Sequence, residues 1–251
     1  TQTISLEGEF VFPGTYAFDK GETLTSVIQR AGGFTDEAFI DGSIFLREAL
    51  KIREKRELER LAQVLNEDLT ADRLRDANSD IDIDEARLTL QRNAVEALTS
   101  AEAQGRLVIP LMKIVNFSVD DVALKTNDRL LIPKFSQEVT VIGEVQRPTS
   151  YLYDASFSQA DYLTQSGGIK ISADKRGIYV VKAGGQVIMP TRGWFRFRSL
   201  KANIGPGDTI IVPLDTDKST IRGIPLLAEV STIIYQLALG AAAVNSFSSN
   251  P

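Results

Sequence analysis

Residues 3–47 read TISLEGEFVFPGTYAFDKGETLTSVIQRAGGFTDEAFIDGSIFLR, and residues 138–182 read EVTVIGEVQRPTSYLYDASFSQADYLTQSGGIKISADKRGIYVVK. The two stretches align without a gap at a constant offset of 135 positions. A duplicated unit therefore organises the chain. Identical residues recur where a chain turns or where a helix ends, and these pairs are Gly8 with Gly143, Pro13 with Pro148, Gly32 with Gly167, and Gly33 with Gly168.

Each copy has the pattern of two strands joined by a tight turn and followed by a short helix. Leu6, Phe10 and Phe12 share one parity, which predicts a first strand running through all three. The pair Pro13-Gly14 then predicts a turn, because proline fixes φ and glycine accepts a positive φ. The helix is predicted from apolar residues at helical spacing, and Gly32 stands where a left-handed residue ends a helix. The apolar residues of this helix are Leu24, Val27, Ile28 and Ala31.

The second copy carries independent signals for the start of the same helix. Ser158 and Asp161 have the spacing of a capping box, in which each residue bonds to the backbone N–H of the other. Phe157 and Tyr162 fall at the two positions of a hydrophobic staple. Both copies therefore predict a mixture of strands and helices in each unit.

The motif V-x-G-E-V-x-x-P-x-x-Y, followed by a helix and Ala/Ser-Gly-Gly, resembles the soluble-ligand-binding β-grasp (SLBB) domain. A later Gly-Asp-x-Ile-x-Val-Pro strand at 207–213 belongs to the same pattern and has its counterpart at 127–133. The second copy departs from the pattern at Thr149, where the family usually has glycine. The structural motif positions are Gly8, Pro13, Gly14, Gly32, Gly33, Gly143, Pro148, Gly167 and Gly168.

The first copy is interrupted by residues 48–104, which have no equivalent in the second copy. Two amphipathic stretches in this insertion predict an αα-hairpin whose apolar stripes pack together. The hairpin is either a lateral surface that contacts a neighbouring subunit or partner, or an insertion that buries its apolar stripes against each other and contacts no partner. The two apolar stripes are Leu58, Leu61, Ala62, Leu65 and Leu69 in the first helix, and Leu90, Ala94, Leu98 and Ala101 in the second.

The resemblance implies an α+β chain of two tandem β-grasp (SLBB) domains with an apolar C-terminal helix. The first domain covers 1–135 with the helical insertion at about 48–104, and the second covers 136–216. Residues 217–251 form the C-terminal segment. This arrangement resembles the outer-membrane polysaccharide export family of Gram-negative bacteria.

Two stretches outside the repeat carry candidate contact residues. The segment from Ile233 is apolar with a small or polar stripe, and it falls just short of the ~30 Å hydrocarbon core of a bilayer. It is either a membrane helix packed in an oligomer or a core helix. Around Trp194, the arginines could bind an acidic sugar chain, or they could keep an edge strand soluble. The candidate membrane and oligomer residues are Ile233, Ile234, Gln236, Leu237, Gly240 and Val244, and the candidate glycan contacts are Trp194, Arg196 and Arg198.

Composition excludes several classes of protein. A net charge of −5 argues against a nucleic-acid partner. The absence of histidine and cysteine excludes Ser-His-Asp and Cys-His triads and the usual zinc sites. Asp80, Asp82 and Asp84 lack the glycine and glutamate of a calcium loop and are expected to cap a helix. We therefore expect no catalytic residues, no metal and no cofactor.

The family resemblance implies a component of a conduit that exports capsular polysaccharide or exopolysaccharide. It implies a ring-shaped homo-oligomer, commonly of eight subunits, that reaches the outer membrane through the C-terminal helix. The expected partners are the polysaccharide and an inner-membrane polysaccharide co-polymerase or ABC transporter. The expected location is the periplasm and outer membrane, in a longer precursor that carries the export signal. The alternatives are a monomeric periplasmic glycan-binding SLBB protein and a structural adaptor.

Overall fold

The structure, a computed structural model, describes residues 1–76, 85–189 and 203–215. Over these residues the chain is built of helices and two mixed β-sheets, which confirms the predicted α+β class. The chain divides into two compact units. The first holds residues 1–48 and 106–215, and residues 49–105 belong to the second.

Among the described residues, the strands and the first helix follow one another in the same order in the two copies, and four further helices, one of them a 3-10 helix, occur in the first. The first copy contains β1 (Gln2–Gly8), β2 (Gly14–Phe18), α1 (Leu24–Arg30), the 3-10 helix η1 (Ile40–Gly42), β3 (Ile44–Leu46), α2 (Glu48–Asp76), α3 (Glu85–Ser100), β4 (Arg106–Leu107), α4 (Leu111–Val115) and β5 (Asp128–Ile132). The second contains β6 (Glu138–Gly143), β7 (Thr149–Leu152), α5 (Gln159–Gln165), β8 (Tyr179–Val181), β9 (Val187–Ile188) and β10 (Thr209–Val212).

The two sheets have equivalent strand orders, β2-β1-β5-β3-β4 in the first copy and β7-β6-β10-β8-β9 in the second. In each sheet the first and last strands of the copy run parallel at the centre, and the other neighbours are antiparallel. Each copy therefore repeats one topology as well as one sequence pattern.

Alternation along the central strands places one set of side chains in each core. Ile4 and Leu6 of β1 are fully buried and pack in one cluster with Leu24 and Val27 of α1. In the second copy, Val139 and Val141 of β6 are fully buried in the equivalent cluster with residues of α5. Burial of these stripes is the main force that holds each helix on its sheet.

The predicted first strand through Phe12 is wrong. Strand β1 ends at Gly8, and although Phe10 is buried, Phe12 is 62% exposed. The chain leaves the ladder here because Gly8 lies against the backbone of Ile132. Phe10 then forms an isolated bridge and a ring contact with Phe34 at 5.4 Å. The alternation of apolar residues in the sequence thus continues beyond Gly8, the residue at which the strand pairing ends.

Helices α2 and α3 occupy the stretch that interrupts the first copy. Leu58 and Leu65 of α2 are buried together with Ala94 and Leu98 of α3 in one apolar cluster. Where the chain leaves this unit, the carboxylate of Glu54 accepts the backbone N–H groups of 104 and 105, at 3.1 and 2.7 Å. The acidic stretch with Asp80, Asp82 and Asp84 lies outside the described residues.

Candidate functional site

A glycine ends the first strand of each copy because the neighbouring strand approaches too closely for any side chain. Gly8 has φ +83° and Gly143 has φ +94°. A Cβ added at either position would lie 2.1 Å from a backbone oxygen, that of Ile132 or Val212. The same two oxygens accept the N–H of the residue after each glycine, at 2.9 and 2.8 Å. Both glycines therefore form the corner at which the chain turns at the end of the first strand, against the parallel last strand of the copy.

The paired glycines after each helix form the same closing motif in both copies. The N–H of Gly32 donates to the oxygen of residue 29, and that of Gly33 donates to the oxygen of residue 28, both at 3.0 Å. Gly167 and Gly168 donate to residues 164 and 163, again at 3.0 Å. This is the Schellman pattern, and it needs a left-handed residue, here with φ +77° at Gly32 and +80° at Gly167.

The remaining motif positions lie in the turns between paired strands. Gly14 opens β2 and pairs with Leu6, and Thr149 opens β7 and pairs with Val141. Pro13 and Pro148 immediately precede these strands. The motif positions thus act through the backbone. They shape the scaffold of each copy.

A buried ion pair in the first copy joins the residue after β3 to the first residue of β5. Asp128 is fully buried and accepts two hydrogen bonds from Arg47, from Nε at 2.9 Å and from Nη2 at 2.8 Å. The N–H of Lys125 also donates to Asp128 at 2.8 Å, and Arg47 donates to the oxygen of Ala123 at 3.0 Å. Each charge is therefore satisfied by its partner and by the backbone, as a buried pair requires.

The second copy repeats this ion pair with lysine in place of arginine. Lys182 Nζ donates to Asp208, which is 1% exposed, and to the oxygen of Asn203 at 2.9 Å. Asp208 also accepts the N–H groups of Ala183 and Gly205, at 3.1 and 2.7 Å. No local sequence pattern predicted either pair. Two features of the sequence mark these pairs. One is the cation at the last aligned position of each copy, Arg47 or Lys182, and the other is the aspartate in the later strand motif, Asp128 or Asp208.

The glutamate after each corner glycine is bonded in both copies, although by residues at positions that are not equivalent in the repeat. Glu9 accepts the hydroxyl of Thr35 at 2.5 Å and lies 3.9 Å from Lys134. Glu144 accepts the hydroxyl of Ser172 at 2.6 Å and lies 3.7 Å from the amine of a lysine at 170. Both carboxylates are mostly buried and already bonded within the protein. They fasten the segment after each helix to the end of the first strand.

An ion pair between Glu7 and Arg129 joins the strands β1 and β5 of the first copy. Arg129 donates to both carboxylate oxygens of Glu7, each at 2.9 Å. Burial raises the pKa of Glu7, but the hydrogen bonds and charge of Arg129, with the hydroxyl of Ser5, outweigh it and hold that pKa below its ordinary value.

A run of exposed apolar side chains follows β4 in the first copy. Phe117 is 75% exposed, and its φ of +54° is unusual for an aromatic residue. Its N–H donates to Ile114, and the N–H of the next residue donates to Lys113, so it fills the position that glycine usually takes after a helix. The other exposed apolar side chains of this run are Val108, Met112 and Val119.

The candidate glycan and membrane residues cannot be placed in this fold. Trp194, Arg196 and Arg198 lie outside the described residues. So do all the candidates of the C-terminal helix, which are Ile233, Ile234, Gln236, Leu237, Gly240 and Val244. Within residues 1–76, 85–189 and 203–215, no helix is both long enough and apolar enough to cross a membrane. The same residues contain no cluster of carboxylates able to hold a metal ion.

Comparison with known proteins identifies the repeated unit. The family model of the SLBB domain matches residues 6–46 and 139–191, which are the two copies. The chain carries two SLBB domains. Two curated proteins, both named polysialic acid transport protein KpsD from Escherichia coli, are each 28% identical over 165 residues. These alignments cover 65% of this chain and 27% of the length of those proteins.

These findings confirm the resemblance to the outer-membrane polysaccharide export family that the SLBB motif indicated. The family match covers the strand, turn and helix of each copy, where the glycine corners and helix ends lie. The two SLBB domains are hereafter called SLBB1 and SLBB2.

Proposed function

We propose that this chain is a component of an export assembly for capsular polysaccharide or exopolysaccharide. The observation that carries the proposal is the similarity to the polysialic acid transport proteins, together with the match of both copies to the SLBB domain. The chain would act without catalysis. Four carboxylates of the described SLBB domains support this, because each is bonded to a cation or a hydroxyl of the same chain. They are Glu9, Glu144, Asp128 and Asp208.

The proposed location is the periplasm and outer membrane of a Gram-negative bacterium, in a homo-oligomeric ring. A polysaccharide chain would pass through the ring, and an inner-membrane polysaccharide co-polymerase or ABC transporter would supply the energy. The expected domain division, 1–135, 136–216 and 217–251, belongs to this proposal. So does the αα-hairpin of residues 48–104 as a lateral surface against a neighbouring subunit.

The C-terminal helix is the proposed membrane element of the assembly. Gln236 and Gly240 fall on one side of the helical pattern, whereas Ile234 and Leu237 fall on the others. An amide buried singly in hydrocarbon costs several kcal/mol, so the helix is expected to insert only as part of an oligomer. Lipid-reactive crosslinking should therefore label Leu237 in the assembled protein and leave Lys20 of SLBB1 unlabelled.

Native mass spectrometry of the full-length protein in mild detergent tests the proposal. A conduit must form a closed ring, so a single species at a whole-number multiple of the subunit mass is expected. A variant that lacks residues 50–104, bridged by Gly and Ser, should keep its SLBB domains folded and lose much of this species. A purely monomeric protein at all concentrations would reject the conduit and leave a glycan-binding protein or an adaptor.

A further inference from the structure

A turn of SLBB2 lies directly against SLBB1, within the first compact unit. The turn joins β8 to β9 and is closed by two backbone hydrogen bonds between residues 182, 185 and 186. Arg106 of β4 donates from Nη2 to the oxygen of Ala183 at 3.2 Å. A Cβ on Gly185 would lie 2.8 Å from Cζ of Arg106, and a Cβ on Gly184 would lie 2.7 Å from the backbone oxygen of Asp41. In this contact, SLBB1 therefore lies against the backbone of glycines in SLBB2, with no SLBB2 side chain between them.

A second turn of SLBB2 meets SLBB1 in the same way. Gly207, just before β10, has φ +76°, and a Cβ there would lie 2.9 Å from the ring of Phe39. Phe39 is 8% exposed and also packs edge-on against the ring of Phe135, with centroids 5.4 Å apart. The two glycine turns flank the buried Lys182–Asp208 pair, which fixes both of them to the core of SLBB2.

Arg106 is held in this contact by shape rather than by an opposite charge. Burial lowers the pKa of its guanidinium, and no ion pair with Arg106 occurs among the described residues. Its Nε has no hydrogen-bond partner within the part of the chain that the structure describes. The flat guanidinium lies against Gly185 because no side chain stands between them. The fit depends on glycine at these positions.

We infer that Arg106 and Phe39 of SLBB1, seated on the glycine turns 184–185 and 207 of SLBB2, lock the two domains into one rigid body. Only residues 133–137 connect β5 to β6, so the covalent link is short, but a short link alone leaves rotation about its ends. The lock removes that rotation. It sets the angle between the two domains within each chain, and it does so whether or not the chain takes part in export.

Distance measurement between two spin labels tests this inference on the full chain. The chain has no cysteine, so Ala17→Cys on β2 and Ala160→Cys on α5, both exposed, accept one label each. The parent protein is expected to give one narrow distance distribution. Gly184→Ala adds a Cβ against the oxygen of Asp41, a backbone atom that cannot rotate away, and should shift and broaden the distribution.

Gly205→Ala is the matched control in the same domain. The nearest atom to its Cβ would be Nζ of Lys182 at 3.4 Å, an ordinary van der Waals distance, so its distribution should equal that of the parent. Arg106→Ala serves as a second variant if Gly184→Ala reduces helical and strand content by circular dichroism. A broad distribution in the parent would overturn the inference. Distributions of Gly184→Ala and Arg106→Ala that match the narrow parent would overturn it too.

Discussion

Replacing Asp128 by asparagine probes the buried ion pair that joins the end of β3 to β5 in SLBB1. Asp128 accepts three hydrogen bonds, two from Arg47 and one from the N–H of Lys125. Asparagine has nearly the same shape, but its amide group turns one acceptor into a donor that faces another donor. Arg47 is only 13% exposed and would lose its counter-charge. Removing one member of such a pair costs about 3–5 kcal/mol.

The expected loss can be measured by thermal unfolding followed by circular dichroism. A loss of about 3 kcal/mol corresponds to a fall of roughly 6–12 °C in the midpoint for a protein of this size. The matched control is Glu57→Gln on α2, which removes an ion pair with Arg60 whose side chains are 55% and 62% exposed to solvent. Exposed pairs contribute little, so this control should keep the parent midpoint.

A double replacement, Arg47→Met with Asp128→Leu, separates the two causes of the loss. It removes both charges together and leaves no uncompensated charge in the core, so it should recover most of the lost stability. Asp128→Asn within about 1 kcal/mol of the parent would refute the reasoning. A double variant as unstable as Asp128→Asn would also refute it, because the loss would then come from packing.

Three further changes test other parts of the scaffold by the same unfolding measurement. Gly143→Ala should cost more than Gly168→Ala, since both pay about 1–2 kcal/mol for a left-handed backbone but only the first places a Cβ 2.1 Å from an oxygen; equal losses would contradict the close approach. Phe117→Gly should raise stability by up to about 1 kcal/mol because the side chain is mostly exposed and its backbone is left-handed; a clear loss would contradict the strain. Glu7→Gln should destabilise at neutral pH, and its difference from the parent should shrink as the pH falls below the ordinary glutamate pKa of about 4.3 and vanish below the lowered pKa of Glu7, because its contribution is lost on protonation; a difference that persists in stronger acid would contradict the role of its charge.

Local signals in the sequence predicted the helix boundaries of the repeat. The capping box at Ser158 and Asp161 is confirmed, with the carboxylate accepting the N–H of Ser158 at 2.7 Å. The staple is confirmed as well, by a contact between the rings of Phe157 and Tyr162 at 5.5 Å. Both motifs depend on residues three to five positions apart, so one short stretch of sequence contains all the information they need.

Features that depend on distant residues were not predicted. Arg47 and Asp128 are separated in the sequence by α2 and α3, and no periodicity links them. The end of β1 at Gly8 was missed because the atom that determines it, the oxygen of Ile132, belongs to the last strand of SLBB1. Sequence patterns recorded which residues are apolar. They did not indicate which segments of backbone would lie against each other in the fold.

The proposed role in export is tested most directly by deleting the gene that encodes this chain in its own bacterium and locating the polysaccharide. Immunogold microscopy with a polysaccharide-specific antibody would show where the polymer lies, and a plasmid copy of the gene serves as the control. We expect loss of polymer from the cell surface, accumulation inside the cell envelope, and restoration of the surface polymer by the plasmid. Unchanged surface polysaccharide in the deletion strain would contradict it.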